Sequence, residues 1–255
     1  MTQTIKKIED LSLNAWPSHQ MQLYDGWILR FSYFYTHRTN CVEQIGTSSL
    51  PVSDKIDYCE SVYRRWQTPC IFKISPVGEP GMDALLAGRG YHTEHHTTVM
   101  TRTLLEQDLR WRPEKRGDGL IFNLENQVSY RWIDGLFSLK HTDNIIHRRI
   151  VPEMYRAIPK DVIAVSVIDR ERVIATGLGI LDRDDVGIYA IHVDPAYRRI
   201  GLAADICRTL FREAALHGAT HAYLQVVTEN PPARALYKSL GFSEHFTYWF
   251  RVKDV

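Results

Sequence analysis

The run Asp194-Pro-Ala-Tyr-Arg198-Arg-Ile-Gly201-Leu-Ala203 places two arginines and a glycine where a strand should turn into a helix. Such a helix start is suited to holding an anion. Its first N–H groups have no partner within the helix, the helix dipole adds partial positive charge, and Gly201 lets a phosphate approach the main chain. The pattern is not the phosphate loop of nucleotide hydrolases, because no Gly-Lys-Ser/Thr follows, and its glycine spacing does not fit the dinucleotide fingerprint. Downstream, Thr228-Glu229-Asn230-Pro-Pro232 opens a second, short helix that carries Tyr237 and closes at Gly241. A phenol near a leaving sulfur can protonate it, and a carboxylate or imidazole can relieve an ammonium group of its proton. Acyl transfer from a thioester to an amine needs these parts together with a preorganised N–H for the developing oxyanion.

In order and spacing, the strand Ile188–Val193, the Arg198–Ala203 turn, the strand His221–Val227, Asn230 and Tyr237 resemble the signature region of the GNAT superfamily of N-acetyltransferases. Its Arg/Gln-x-x-Gly-x-Gly/Ala motif is met here by Arg198 to Ala203. The resemblance implies an α/β fold with acetyl-CoA as co-substrate, attacked directly by a primary amine in a ternary complex. It implies that Arg198, Arg199, Ile200, Gly201, Leu202, Ala203 and Ala204 grip the pyrophosphate. Backbone groups of Ile191, His192 and Val193 would pair with the pantetheine arm, and Asn230 and Tyr237 would sit beside the cofactor. The strands Tyr189–Val193 and Leu224–Val227 are expected to splay apart at a bulge. Tyr237 is the candidate general acid, against a reading as a core tyrosine next to Ala235 and Leu236. Two bases stay open, Glu229 and His192. Many members carry a glutamate on the motif strand, where this chain has Ile188 and Tyr189.

The elements that must position these groups follow from periodicity. Ile5, Ile8 and Leu11 recur at helical spacing up to Trp16-Pro17. Asp25-Gly26 marks a turn into a strand Trp27–Thr36 with Trp27, Leu29, Phe31, Tyr33 and Tyr35 on one face. Ser53 is expected to cap a helix through Trp66, followed by a strand at 71–74, a helix Met82–Gly88 and a strand Thr97–Leu104. Further on, Val162–Ile168 and Val173–Leu181 should pair across a turn. The helix from Gly201 to His217 should face the sheet with Leu202, Ile206, Leu210 and Ala214. Asp83-Ala-Leu-Leu-Ala-Gly-Arg-Gly-Tyr91 aligns with Arg234-Ala-Leu-Tyr-Lys-Ser-Leu-Gly-Phe242. The chain therefore reads as two GNAT-like mixed-sheet domains: residues 1–105, a linker at 106–118, and a catalytic unit at 119–255. The first copy has Leu86 at the tyrosine position, and Thr47–Ser53 carries no cation. It is expected to shape the substrate site or the structure.

The 255 residues are 44% hydrophobic and 24% charged, with a formal net charge of +1. That balance fits a protein with a real core and gives no general reason to expect nucleic acid or an anionic membrane. The longest apolar run, Val162–Ile168, is too short to span a bilayer, and the first residues lack a signal peptide's apolar segment. A cytoplasmic location is expected. Cys41, Cys59, Cys70 and Cys207 read as free, buried thiols. No metal is expected: His92, His95 and His96 lack a completing pattern, and alternation puts His95 and His96 on opposite faces. The acceptor is expected to be a small-molecule amine, and the chain a monomer or homodimer. The alternatives are a non-catalytic acyl-CoA sensor and a transferase for protein N-termini or lysines.

Overall fold

A computed structural model describes residues 2–112 and 119–254. In chain order the elements are α1 (Thr2–Ala15), β1 (Gln20–Tyr24), β2 (Trp27–Phe31), β3 (Val42–Gln44), α2 (Val52–Arg65), β4 (Cys70–Ile74), α3 (Met82–Gly88), β5 (His92–Thr103) and α4 (Glu106–Arg110). They continue as β6 (Ile121–Glu125), α5 (Tyr130–Leu139), α6 (Ile145–Arg156), β7 (Asp161–Asp169), β8 (Arg172–Asp182), β9 (Asp185–Val193), α7 (Leu202–Leu216), β10 (His221–Val227), α8 (Pro231–Ser239) and β11 (Ser243–Lys253).

Among the described residues the strands form one 11-stranded sheet, ordered β1-β2-β3-β4-β11-β5-β10-β9-β8-β7-β6. With β6 set aside, the order reads alike from both ends. β1, β2 and β3 are antiparallel neighbours, β3 runs parallel to β4, and β4 meets an antiparallel β11. From the other side β7, β8 and β9 are antiparallel, β9 runs parallel to β10, and β10 meets an antiparallel β5. Each run thus ends on the strand from the other half of the chain. The expected pair of sheets is one sheet, because exchanging β5 and β11 covers the open edges that β4 and β10 would otherwise present. The aligned segments also close alike. Gly90 and Gly241 take φ of +85° and +86°, and Tyr91 N donates to Leu86 O as Phe242 N does to Tyr237 O, both at 3.1 Å.

The core lies in layers on this sheet. Leu202, Ile206, Leu210 and Ala214 of α7 pack on β7–β10, as their spacing implies. On the opposite face α1 covers β5, β10 and β11, while α5 and α6 cover β7 and β8. The four cysteines are free and buried.

Several boundaries differ from the expected ones. β2 stops at Phe31, and Tyr33 and Phe34 take φ of +49° and +57°, so Tyr33 leaves the core face and is exposed. That break lets the next residues loop back over the sheet. The N-terminal cap of α2 is Pro51 rather than Ser53, with no side-chain hydrogen bond. β5 begins at His92, five residues before the expected start, because β11 extends along it. The first part of the expected linker is α4, tied to β5 by an ion pair of Arg102 with Asp108 at 2.7 Å; residues 113–118 lie outside the described residues.

Candidate active site at a splayed strand pair

The parallel pairing of β9 with β10 runs from Asp185↔His221 to Ile188↔Leu224 and then stops. β10 continues to pair with β5 as far as Val227↔Thr97, and β9 continues along β8 to Val193↔Ala175. The two strands therefore part, as expected, and leave a slot between residues 189–193 and 225–227. The cause is local. The β8–β9 register slips between Thr176 and Leu178, Ala190 takes φ of +50°, and Thr176 Oγ1 donates to Ala190 O at 3.0 Å. Gly177 sits at the slip because a Cβ there would lie 2.2 Å from Ile206 and 2.9 Å from Ile191, so α7 is seated directly on the bulge. Among the described residues the slot-side edge of Ile191, His192 and Val193 has no neighbouring strand, which suits an extended chain laid along it. Ile191 O faces the His192 ring nitrogen Nδ1 at 2.7 Å, and Val193 O accepts from Arg198 Nε at 3.2 Å.

Past β9, Asp194 turns the chain by accepting from Ala196 N at 2.9 Å and pairing with Arg172 at 2.9 Å. Arg199 and Gly201 then take φ of +66° and +89°, folding the backbone into a concave turn before Leu202 starts α7. Arg198, Arg199 and Ile200 are exposed, while Leu202 is buried. No side chain caps this helix, so the leading N–H groups around Leu202, Ala203 and Ala204 lack the usual side-chain acceptor. Uncapped N–H groups, a left-handed glycine and two exposed guanidiniums fit the diphosphate of an acyl-CoA.

Tyr237 on α8 packs edge-on to Phe242, ring centroids 6.1 Å apart, and against the cluster that includes Cys207. Burial pushes its phenol well above the usual value, with Cys207 adding to it, so the proton stays on. Its hydroxyl makes no hydrogen bond among the described residues. Asn230 caps α8, its Oδ1 accepting from Ala233 N at 3.2 Å, while its amide nitrogen makes no hydrogen bond among the described residues. Glu229 is exposed at the turn after β10 and has no ion pair among the described residues. His192, half-buried, is pushed down to about 4 by burial, with Lys140 and Arg198 adding to the effect. It is neutral near pH 7 and holds a proton too weakly to serve as an efficient base. The unfolded chain, with an imidazole near 6.5, binds this proton more readily between about pH 6.5 and pH 4. Stability should therefore fall as pH drops through that window, by up to about 3 kcal/mol. Urea unfolding of the native chain and of His192→Gln against pH checks this: the native chain should lose stability relative to the variant as pH falls from about 6.5 to about 4.

A family model described as "probable histone acetyltransferase Rv0428c, C-terminal" matches residues 2–251. The chain belongs to this GNAT family of N-acetyltransferases. It is 26% identical over 249 residues to YobR of Bacillus subtilis, named an uncharacterized N-acetyltransferase, with 98% of each chain covered. A shorter match, 39% over 61 residues, joins it to the Escherichia coli enzyme named for acetylating the alanine of ribosomal protein bS18; it covers 24% of this chain and 41% of that one. Its fold is shared with a GCN5-related N-acetyltransferase from Kribbella flavida, at TM-score 0.71 and 14% identity, covering 98% and 96% of the chains. A tandem GNAT protein of the clavulanic acid pathway follows at TM-score 0.66 and 10% identity, covering 84% and 75%.

In this acetyltransferase a pocket lies beside the β10 edge of the slot, on the α1 side of the sheet. There the loop after β2 brings Tyr35 to Arg38 beside β5, β10 and β11, around a pocket of about 250 Å³. Arg38 Nη1 donates to Gln225 Oε1 at 3.0 Å, and Tyr248 OH donates to the same oxygen at 2.6 Å. Tyr189 OH meets Tyr223 OH at 2.8 Å in the layer beneath. Sequence reasoning missed Arg38 and Gln225, which are 187 positions apart. At the rim, His37 and Glu94 approach to 3.0 Å and His95 to Glu94 to 3.7 Å, a trio whose ligating atoms lie within 4.8 Å of one another. From the sequence only His92, His95 and His96 come into question, and no metal is expected there. His95, at φ of +51°, breaks strand alternation, and the third member comes from the loop instead.

Proposed function

We propose that the chain transfers an acetyl group from acetyl-CoA to the primary amine of a small molecule by direct attack in a ternary complex. The observation that carries this reading is the slot between β9 and β10, with the uncapped start of α7 at one end and the pocket around Arg38 and Gln225 beside its β10 edge. The amine nitrogen bonds to the thioester carbonyl carbon, the C–S bond breaks, and its electron pair goes to sulfur. Tyr237 gives sulfur its proton, the role for which a free, protonated hydroxyl is suited. Glu229, exposed and without an ion pair among the described residues, is the better of the two bases for the amine's proton. Residues 191–193 offer backbone groups to the pantetheine arm, and Arg198 to Ala204 hold the diphosphate.

Residues 1–105 would then be a divergent copy that shapes the site, and residues 119–255 the working copy. Three features support this division. Leu86 stands where Tyr237 does, the Thr47–Ser53 turn has no cation, and the N–H groups of Ser49 and Leu50 are taken by the carboxylate of Asp25 at 2.9–3.0 Å. An internal anion thus fills the first half's counterpart of the clamp. The names of the family model and of the Escherichia coli relative favour a protein amine as the second reading.

Calorimetric titration of acetyl-CoA, followed by release of coenzyme A thiol with a panel of small amines and peptides, tests the proposal. One site per chain and thiol release with small amines is the expected result. Binding without release from any acceptor would mark a non-catalytic sensor, and release with peptides alone would establish the second reading. Tyr237→Phe should keep its affinity for acetyl-CoA and lose about 10²-fold in turnover. An unchanged rate would remove Tyr237 from the mechanism.

A further inference from the structure

The acceptor-side pocket contains a cation with no counter-charge. Among the described residues Arg38 makes no ion pair; its one side-chain partner is the neutral amide of Gln225. A half-buried guanidinium retains several N–H donors, and leaving them without acceptors in a confined space carries a desolvation cost. Two further observations show that the group is held in place. Arg30 Nη1 donates to Arg38 O at 2.7 Å, fixing the loop from beneath. Gln225 is itself fixed, donating to Ser12 Oγ at 2.7 Å and accepting from Tyr248 OH at 2.6 Å. The Arg38 charge also reaches three buried phenols: burial pushes Tyr189 up to about 12 and raises Tyr155 and Tyr248, while Arg38 draws each of them down. These phenols lie on β9, α6 and β11, all in the second half of the chain, while Arg38 comes from the first. A carboxylate at the pocket rim, Glu94, is engaged by His37 and His92 at 3.0 Å and 2.8 Å.

We infer that Arg38 is a carboxylate subsite, and that the acceptor is a small amine carrying a carboxylate of its own, such as a free amino acid. This rests on the acetyltransferase reading of the slot and names the substrate class of that same site. The planar guanidinium fork matches a carboxylate in geometry, and a charge-assisted bond to this half-buried group is stronger than one between neutral partners. The cavity, about 250 Å³, is smaller than the roughly 300–1,000 Å³ of drug-sized ligand sites, which favours a compact metabolite over a peptide segment. A lysine side chain or protein N-terminus would bring an amine without an adjacent carboxylate and leave Arg38 unmatched.

The test separates recognition from transfer. The twenty common amino acids and their C-terminal amides serve as probes, first for binding to the full chain by thermal shift and calorimetry, then as acceptors in thiol release with acetyl-CoA. At least one free acid should bind more than about tenfold tighter than its own amide, the scale of one charge-assisted hydrogen bond. Arg38→Gln should abolish that preference and Arg38→Lys restore part of it. Gln225→Glu, which supplies an internal carboxylate at the same spot, should abolish it with Arg38 intact. Equal binding of acids and amides, no binding by any probe, or a preference that survives both Arg38→Gln and Gln225→Glu would overturn the subsite. Thiol release to amines without acid preference would sink the subsite and leave the transferase reading standing. Acid-selective binding without thiol release would do the reverse.

Discussion

Replacing Gly201 by glutamate should abolish acetyl-CoA binding, weakening it by more than about 10³-fold. Two physical effects act together. A side chain at φ of +89° is strained, so the turn between Arg199 and Leu202 must reshape and the leading N–H groups of α7 lose their common focus. The new carboxylate also stands where the diphosphate belongs. Two unit charges about 4 Å apart repel by about 4 kcal/mol at the effective dielectric of a protein surface, and a diphosphate brings more than one. The fold should survive, because the change sits at an exposed turn while Leu202, Ile206 and Leu210 keep their packing on the sheet. Calorimetry with the native chain as reference gives the affinity, and circular dichroism confirms folding. A folded Gly201→Glu chain that binds acetyl-CoA unchanged would exclude the start of α7 as the clamp. Gly201→Ala supplies the intermediate case: strain without charge.

What the chain order discloses about this site is what neighbours along the chain decide. The turn into α7, its buried face and the cap at Asn230 are local events, governed by glycine, proline and a period of 3.6 residues, and all of them were legible. The splay was legible only through resemblance; its cause, a slip opposite Gly177, depends on a contact with Ile206 that no local pattern reveals. The exchange of β5 and β11 could not be read, because an apolar strand pattern states which face is buried and not which neighbour it takes. The acceptor face was missed for the same reason. The strand pattern from Trp27 invites extension through Tyr35, yet two left-handed residues end it and swing Arg38 across to Gln225. Likewise Arg30, which alternation assigns to the polar face, is buried. Its partners explain how.

Glu43→Ala should destabilise the protein by about 3–5 kcal/mol, the scale for breaking a buried ion pair from one side. Arg30, Glu43 and Lys73 are 3%, 6% and 6% exposed. Glu43 accepts from Arg30 Nη1 at 3.2 Å and from Lys73 Nζ at 3.0 Å, and Glu9 completes the cluster on Lys73. Burial alone would raise the Glu43 carboxyl, but Lys73 and Arg30 together hold it below its ordinary value. Its contribution is therefore present above the usual carboxylate range and is lost as pH falls through the folded value. Removing Glu43 leaves two buried cations facing a single carboxylate. The consequence reaches the acceptor pocket, because Arg30 also donates to Arg38 O and to Trp16 O, and so carries the loop that presents Arg38. Urea unfolding should show the loss of stability. At temperatures where the variant is still folded, affinity for a carboxylate-bearing ligand should drop while acetyl-CoA binding at α7 stays intact. Replacing Glu43 and Lys73 together by leucine and methionine should cost less than the sum of the single changes, since the Lys73–Glu43 pair is then removed from both sides, although Arg30 and Glu9 each lose a partner. A Glu43→Ala chain as stable as the native one would mean that water replaces the carboxylate, and the first half would then owe its rigidity to its aromatic core alone.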